Sequence, residues 1–218
     1  MEDLDKFMME EFPEIELKSS LFYNSPIAIR FDLGGNFFLE IEKETVEEVI
    51  YRSLTLFKAL NSNMDNVFVI TFVDSWDDEP ITSVEEGVAK TLNKAIKSVT
   101  DYKINKNQLE YRYKYDDSED IVTFRYWTKI KVLNLDVEEL LRGKIYSAIS
   151  EEEYSSIGDL FIVNASNNTI FHLYDERGLD IVSQKKETIY YLYKDFEKWI
   201  LEYDRKRIDE IFKQIPLC

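Results

Sequence analysis

One cysteine and one histidine are all that this 218-residue chain offers for thiol or imidazole chemistry. Cys218 is the last residue, so neither an intrachain disulfide nor a thiolate metal cluster can be built. With His172 as the lone imidazole, a two-histidine metal site and a Cys/His dyad are excluded as well. Glycine and proline are scarce, at 6 and 4 residues, which leaves little room for low-complexity or disordered stretches. No serine sits in a G-x-S-x-G elbow, and Gly34-Gly35 is not followed by the lysine of a phosphate-binding loop, so ATP and dinucleotide sites are disfavoured. The longest apolar run, Val67 to Val73, is interrupted by Thr71 and is far too short to cross a bilayer. The first residues, Met1 to Glu11, are acidic and amphipathic where a signal peptide would be basic and then apolar. The expectation is a soluble cytoplasmic protein in a reducing compartment, with no membrane span and no cofactor.

What is present suits a globular core. Apolar residues make up 44% of the chain and aromatics 14%. A single α+β domain over 1–218 is expected, divisible at most into an acidic part, 1–135, and a meander-helix part, 136–218. The net charge of −16 is unevenly spread. Residues 160–218 carry 9 Lys and Arg against 10 Asp and Glu, whereas residues 1–159 carry 18 against 33. Residues 1–48 alone hold 4 against 13. Such an amino-terminal surface repels nucleic acid and anionic lipid, both of which need Lys and Arg against phosphate, and attracts basic proteins.

The elements are punctuated clearly. Leu4, Phe7, Met8 and Phe12 keep helical spacing up to Pro13. A strand over Ile27 to Leu33 ends at Gly34-Gly35, where positive φ is available, and Phe37 to Ile41 is its expected hairpin partner. Thr45-Val-Glu-Glu48 and Ser83-Val-Glu-Glu86 have capping-box spacing and predict helix starts. Between those helices, Val67 to Val73 reads as a central strand buried on both faces. Asp74 to Pro80 then reads as a loop. Leu109, Tyr111, Tyr113 and Tyr115 alternate with charges as a half-exposed strand, returning antiparallel through Val122 to Val132. Asp136 caps a helix expected to end at Gly143. Turns at Asn167-Asn168 and at Asp175 to Gly178 separate three strands of an antiparallel meander. Its closing helix carries Ile189, Leu192, Tyr193, Phe196, Trp199, Ile200 and Tyr203 at helical spacing, then resumes one step late at Ile208, which predicts a kink or fresh start at Asp204. The fold class is α+β, mostly antiparallel sheet with five or six helices.

Chemistry-bearing groups are few. His172 shares a strand face with Ile170 and Tyr174 and reads as a packed imidazole rather than a base. Asp77-Asp78-Glu79 and Asp116 to Asp120 lack calcium-loop spacing and read as solvated turns. Arg205-Lys206-Arg207 is flanked by acids and reads as a solvated helix face. Asp175-Glu176-Arg177-Gly178 is a turn in which Asp175 opens, Arg177 reaches back and Gly178 supplies positive φ. Its polar tip makes Asp175, Glu176 and Arg177 surface candidates, together with Asp180, Tyr203, Asp204 and Arg205, and with Trp76, Asp77 and Asp78 on the preceding loop. Should Asp175, Asp180 and Asp204 converge, three carboxylates would suffice for a divalent cation.

The strings Leu173-Tyr-Asp-Glu-Arg-Gly-Leu-Asp-Ile181 and Trp199-Ile-Leu-Glu-Tyr-Asp-Arg-Lys-Arg-Ile-Asp-Glu-Ile-Phe212 resemble the mainly bacterial family described as domain of unknown function 3885. Leu21-Phe-Tyr-Asn24, Ile29-Arg-Phe-Asp-Leu-Gly34 and Phe161-Ile-Val-Asn164 look like landmarks of the same family, and the resemblance covers most of the chain. Glu176 stands where a second Asp is expected, and Phe196-Glu197-Lys198 replaces a more polar stretch. The resemblance implies a fold and no catalytic residue. The small, acidic character is similar to that of immunity proteins, which neutralise basic toxins by binding. A non-enzymatic, immunity-like protein with a basic protein partner is therefore the leading expectation. A carboxylate-dependent metal enzyme and a self-associating structural protein are the alternatives, with oligomeric state left open.

Overall fold

The computed structural model describes residues 3–35, 43–76, 81–97, 102–113, 121–148 and 157–213. Helix α1 (Asp3–Glu11) buries Leu4 and stops before Pro13. Then follow β1 (Ala28–Asp32), α2 (Lys43–Leu60), β2 (Asn66–Trp76), α3 (Ile81–Ala95), β3 (Asn105–Glu110), β4 (Ile121–Lys131) and α4 (Val137–Ala148). The meander is β5 (Asp159–Asn164), β6 (Thr169–Asp175) and β7 (Gly178–Ser183), closed by α5 (Lys186–Asp195) and α6 (Arg205–Phe212). All seven strands join one sheet in the order β1-β7-β6-β5-β2-β4-β3, with every neighbouring pair antiparallel. The fold is α+β. Because β2 pairs with β5 as well as β4, the sheet runs unbroken from the amino-terminal half into the meander.

Strand pleating gives the sheet two different faces. One carries Phe31, Leu179, Ile181, Phe171, Leu173, Leu160 and Ile162, all buried, and α2 to α5 form the layer against it. Phe57 of α2 meets Phe171 edge-on at 5.5 Å. Burying a side chain of this size contributes about 2–3 kcal/mol, and the opposite face adds to the same core through Phe68, Ile70, Val163, Ile170 and Val182. The other face carries Arg30, Asp180, His172, Phe161, Asp159, Phe72 and Arg125, and it is covered by the first 25 residues. Phe7 packs on Phe68 at 5.5 Å there, and Asp5 reaches Arg125.

Several boundaries differ from the sequence reading. Helices α2 and α3 begin two residues before Thr45 and Ser83, so both capping boxes fall inside the first turn, where backbone amides are still unpaired. Gly143 lies buried within α4 and does not end it, while Asp136 does cap the helix by accepting from the Glu139 amide at 3.2 Å. Strand β3 ends at Glu110. Tyr111 and Tyr113 follow it with their rings 5.6 Å apart. Asp74 to Trp76 belong to β2, so the loop starts after Trp76. Asp77, Asp78, Tyr115, the 116–120 turn and the proposed 37–41 hairpin partner lie outside the described residues. The closing helix is two helices, α5 and α6, separated by single tight turns at Glu197–Trp199 and Glu202–Asp204. Between those turns Ile200 bridges Phe31 and the Leu201 amide donates to the Arg30 carbonyl at 2.9 Å, which covers the exposed edge of β1. Tyr193 then stacks on Phe212 at 5.2 Å and hydrogen-bonds Asp209, fixing α6 to α5.

Candidate functional site

Arg30 is the hub of the charged face. It projects from β1 directly opposite Asp180 on β7, and its guanidinium grips both oxygens of that carboxylate at 2.7 and 2.9 Å. Asp204, from the turn before α6, stands 3.6 Å from the same guanidinium and accepts from the Tyr23 hydroxyl at 2.9 Å. Phe22, Tyr23 and Tyr174 surround the cation with their rings, 4.8 to 5.1 Å from its centre. Asp180 is fully buried and also accepts from the Phe22 amide at 3.0 Å. Asp204 occupies the N-cap position of α6, yet its side chain makes no cap because Tyr23 and Arg30 claim it.

The network continues inward. His172, opposite Asp180 and fully buried, lies 3.9 Å from it through Nδ1, while Nε2 meets Asp159 at 3.0 Å. The imidazole stacks on Phe161 with centroids 4.0 Å apart. Asp159 in turn accepts from Arg112 at 3.0 Å, and Arg112 reaches Asp74 at 3.4 Å and the Leu17 carbonyl at 3.3 Å. Burial works to lower the His172 pKa, but the hydrogen bond to Asp159 and the charge of Asp180 reverse the sign and raise it. For both carboxylates burial works upward and is outweighed. The hydrogen bond and charge of His172, with Arg112 nearby, hold Asp159 well below the usual range. Arg30 and His172 lower Asp180. Burial, with Asp180 adding to it, pushes the Tyr174 hydroxyl far up.

The expected surface candidates separate into two groups. Asp180 and Asp204 do converge, but on Arg30, which occupies the place a cation would take. Asp175 is engaged elsewhere, accepting from the Arg177 amide and Nε, both at 2.9 Å, as the turn reading expects. Among the described residues no three His, Cys, Asp or Glu side chains stand together as a metal-binding group, so the Asp175, Asp180, Asp204 triad is not assembled. Glu176 is buried, because Gly35 crosses closely over its carbonyl and the Leu33 amide bonds the next carbonyl, that of Arg177. Tyr203 is 87% exposed, and Arg205 pairs with Glu202 at 3.2 Å and with the Glu197 carbonyl at 2.9 Å. Trp76 closes β2 opposite Ile121.

Arg30, Tyr23, Asp159, Arg112 and the charged setting of His172 escape a sequence reading. The first four meet through long-range pairings, and one irregularity hides the setting of His172. A two-residue turn at Glu176-Arg177 would pair His172 with Ile181, but a bulge at Tyr174 shifts the register and brings Asp180 opposite the imidazole.

The model of the family Domain of unknown function (DUF3885) matches residues 4–204, spanning the charged network from α1 to Asp204. The chain belongs to this family. A relative, the uncharacterized protein YnaE of Bacillus subtilis (strain 168), is similar to the chain at 23% identity over 217 residues, covering 90% of this chain and 96% of its own. No solved structure matches the chain. No helix among the described residues is long and apolar enough to cross a membrane.

Proposed function

We propose that this DUF3885 chain is a non-enzymatic, cytosolic binding protein whose acidic amino-terminal layer meets a basic protein partner, in the manner of an immunity protein. The observation that carries this reading is how the first 25 residues divide their side chains. Those facing the sheet, among them Asp5, Phe22 and Tyr23, are tied into the charged network, while Asp3, Glu10, Glu14 and Glu16 are exposed. Met9, 64% exposed between them, adds an adaptable apolar contact. The imidazole and the two carboxylates best suited to chemistry are locked inward by Arg30 and Arg112, which favours binding over turnover. Surface acids of this kind steer a basic partner and make its capture sensitive to salt.

The test is capture from the producing cell at low and high salt, using the full chain and a variant carrying Asp3→Lys, Glu10→Lys and Glu14→Lys. The expected result is a basic protein retained by the parent at low salt and lost by the variant. Failure to recover a basic partner at either salt, or equal recovery by the variant, would reject the reading.

A further inference from the structure

A cleft of about 910 Å³ opens between α1, the Ile15 to Lys18 segment and the β2-β4-β3 part of the sheet. Its apolar wall includes Met8, Ile15, Phe72 and Leu109, and its charged groups are Arg112 and Arg125 on the floor with Asp5, Glu16 and Lys18 beside them. That volume and mixture, mostly apolar with a few convergent polar groups, suit a small organic molecule. Both guanidiniums are nearly buried, with side chains 10% and 11% exposed, so their charges, Arg112's already shared with Asp159 and Asp74, act where water screens them poorly. Arg112 stands over the Phe72 ring at 4.3 Å, and its buried Nε has no hydrogen-bond partner. Arg125 is held by Asp5, with contacts of 2.6 and 3.2 Å from its two terminal nitrogens to the two carboxylate oxygens, and it also donates to the Asn107 side-chain oxygen at 3.0 and 3.2 Å. This is the fork geometry in which a guanidinium takes any carboxylate.

We propose that this cleft binds a small amphipathic carboxylate, its apolar body against Met8, Ile15 and Leu109 and its acid group on the Arg112–Arg125 floor, where Asp5 already models the contact. The proposal does not rest on the protein-binding reading, although Met9 and Glu16 of that surface also line the cleft. Asp5 competes with the ligand for Arg125, so its removal strengthens binding.

Calorimetric titration of the full chain with octanoate, octan-1-ol and octylammonium tests this. Octanoate should bind saturably and at least tenfold more tightly than either analogue. Asp5→Asn should tighten octanoate severalfold. Leu109→Trp, which fills the cleft without altering charge, should weaken it at least tenfold while a cooperative melting transition shows the chain folded. Octanol or octylammonium binding as tightly as octanoate would overturn the charge assignment. Octanoate affinity unmoved by Leu109→Trp, or absent from the parent and Asp5→Asn alike, would overturn the site.

Discussion

His172 shows how far one residue's surroundings decide its charge. Burial alone would leave the imidazole neutral, but Asp159 and Asp180 flank it and raise its pKa in the folded chain. The folded state therefore holds the proton more tightly than the unfolded chain. Stability from this group is fully present below about pH 6.5 and is lost as pH rises through the folded value. Asp159 and Asp180 are shifted down, so their contribution is present above about pH 4 and lost as pH falls further. Stability should peak between those limits and fall on the alkaline side by at most about 1.4 kcal/mol per pH unit. Lys144 is lowered by burial and changes in the opposite sense, so a comparison with His172→Gln is needed to isolate the imidazole. Urea unfolding from pH 5 to 9 should show the fall in the parent and a flatter profile in the variant. Equal slopes would mean that His172 is neutral when folded.

At the scale of elements, the meander, the core of β2, the long β4 and the restart at Asp204 were legible because turn residues and apolar period report local backbone preference. The charged network was not, because it joins segments distant in sequence, and the place of His172 in it depends on the bulge at Tyr174. Gly178 illustrates the difference. Sequence assigns it a positive φ at the turn's end, whereas positive-φ glycines among the described residues are Gly34 and Gly158. What Gly178 supplies is room, since a Cβ there would collide with the Tyr174 hydroxyl and the Phe31 carbonyl. Only the first of these can swing away; the second belongs to the backbone of the paired β1. Gly178→Ala should therefore cost about 1–3 kcal/mol. Asn, which tolerates positive φ, should be no better than Ala, and thermal melts of both variants check this. Recovery by Asn would restore the turn explanation.

For the whole molecule, a charge of −16 sets a long-range repulsion against the compact state. The imbalance was countable from the sequence, but which acids face solvent was not, since Asp159 and Asp180 are bound to arginines inside and Asp5 is half-buried against Arg125, while Asp3, Glu10, Glu14 and Glu16 stand outside. These two populations should respond differently to salt. At ~20 mM NaCl the screening length is on the order of 20 Å, so exposed acids across the amino-terminal half repel one another. Near ~300 mM it shrinks to about 5–6 Å and the repulsion is largely removed. Buried pairs such as Arg30–Asp180 are screened little at either concentration. Adding salt should therefore raise the melting temperature by a few degrees, and the variant with Asp3, Glu10 and Glu14 changed to Lys should melt higher at low salt and respond less. A melting temperature that falls with salt would place the balance instead with the attractive surface pairs, such as Arg52–Glu48 and Arg142–Glu138.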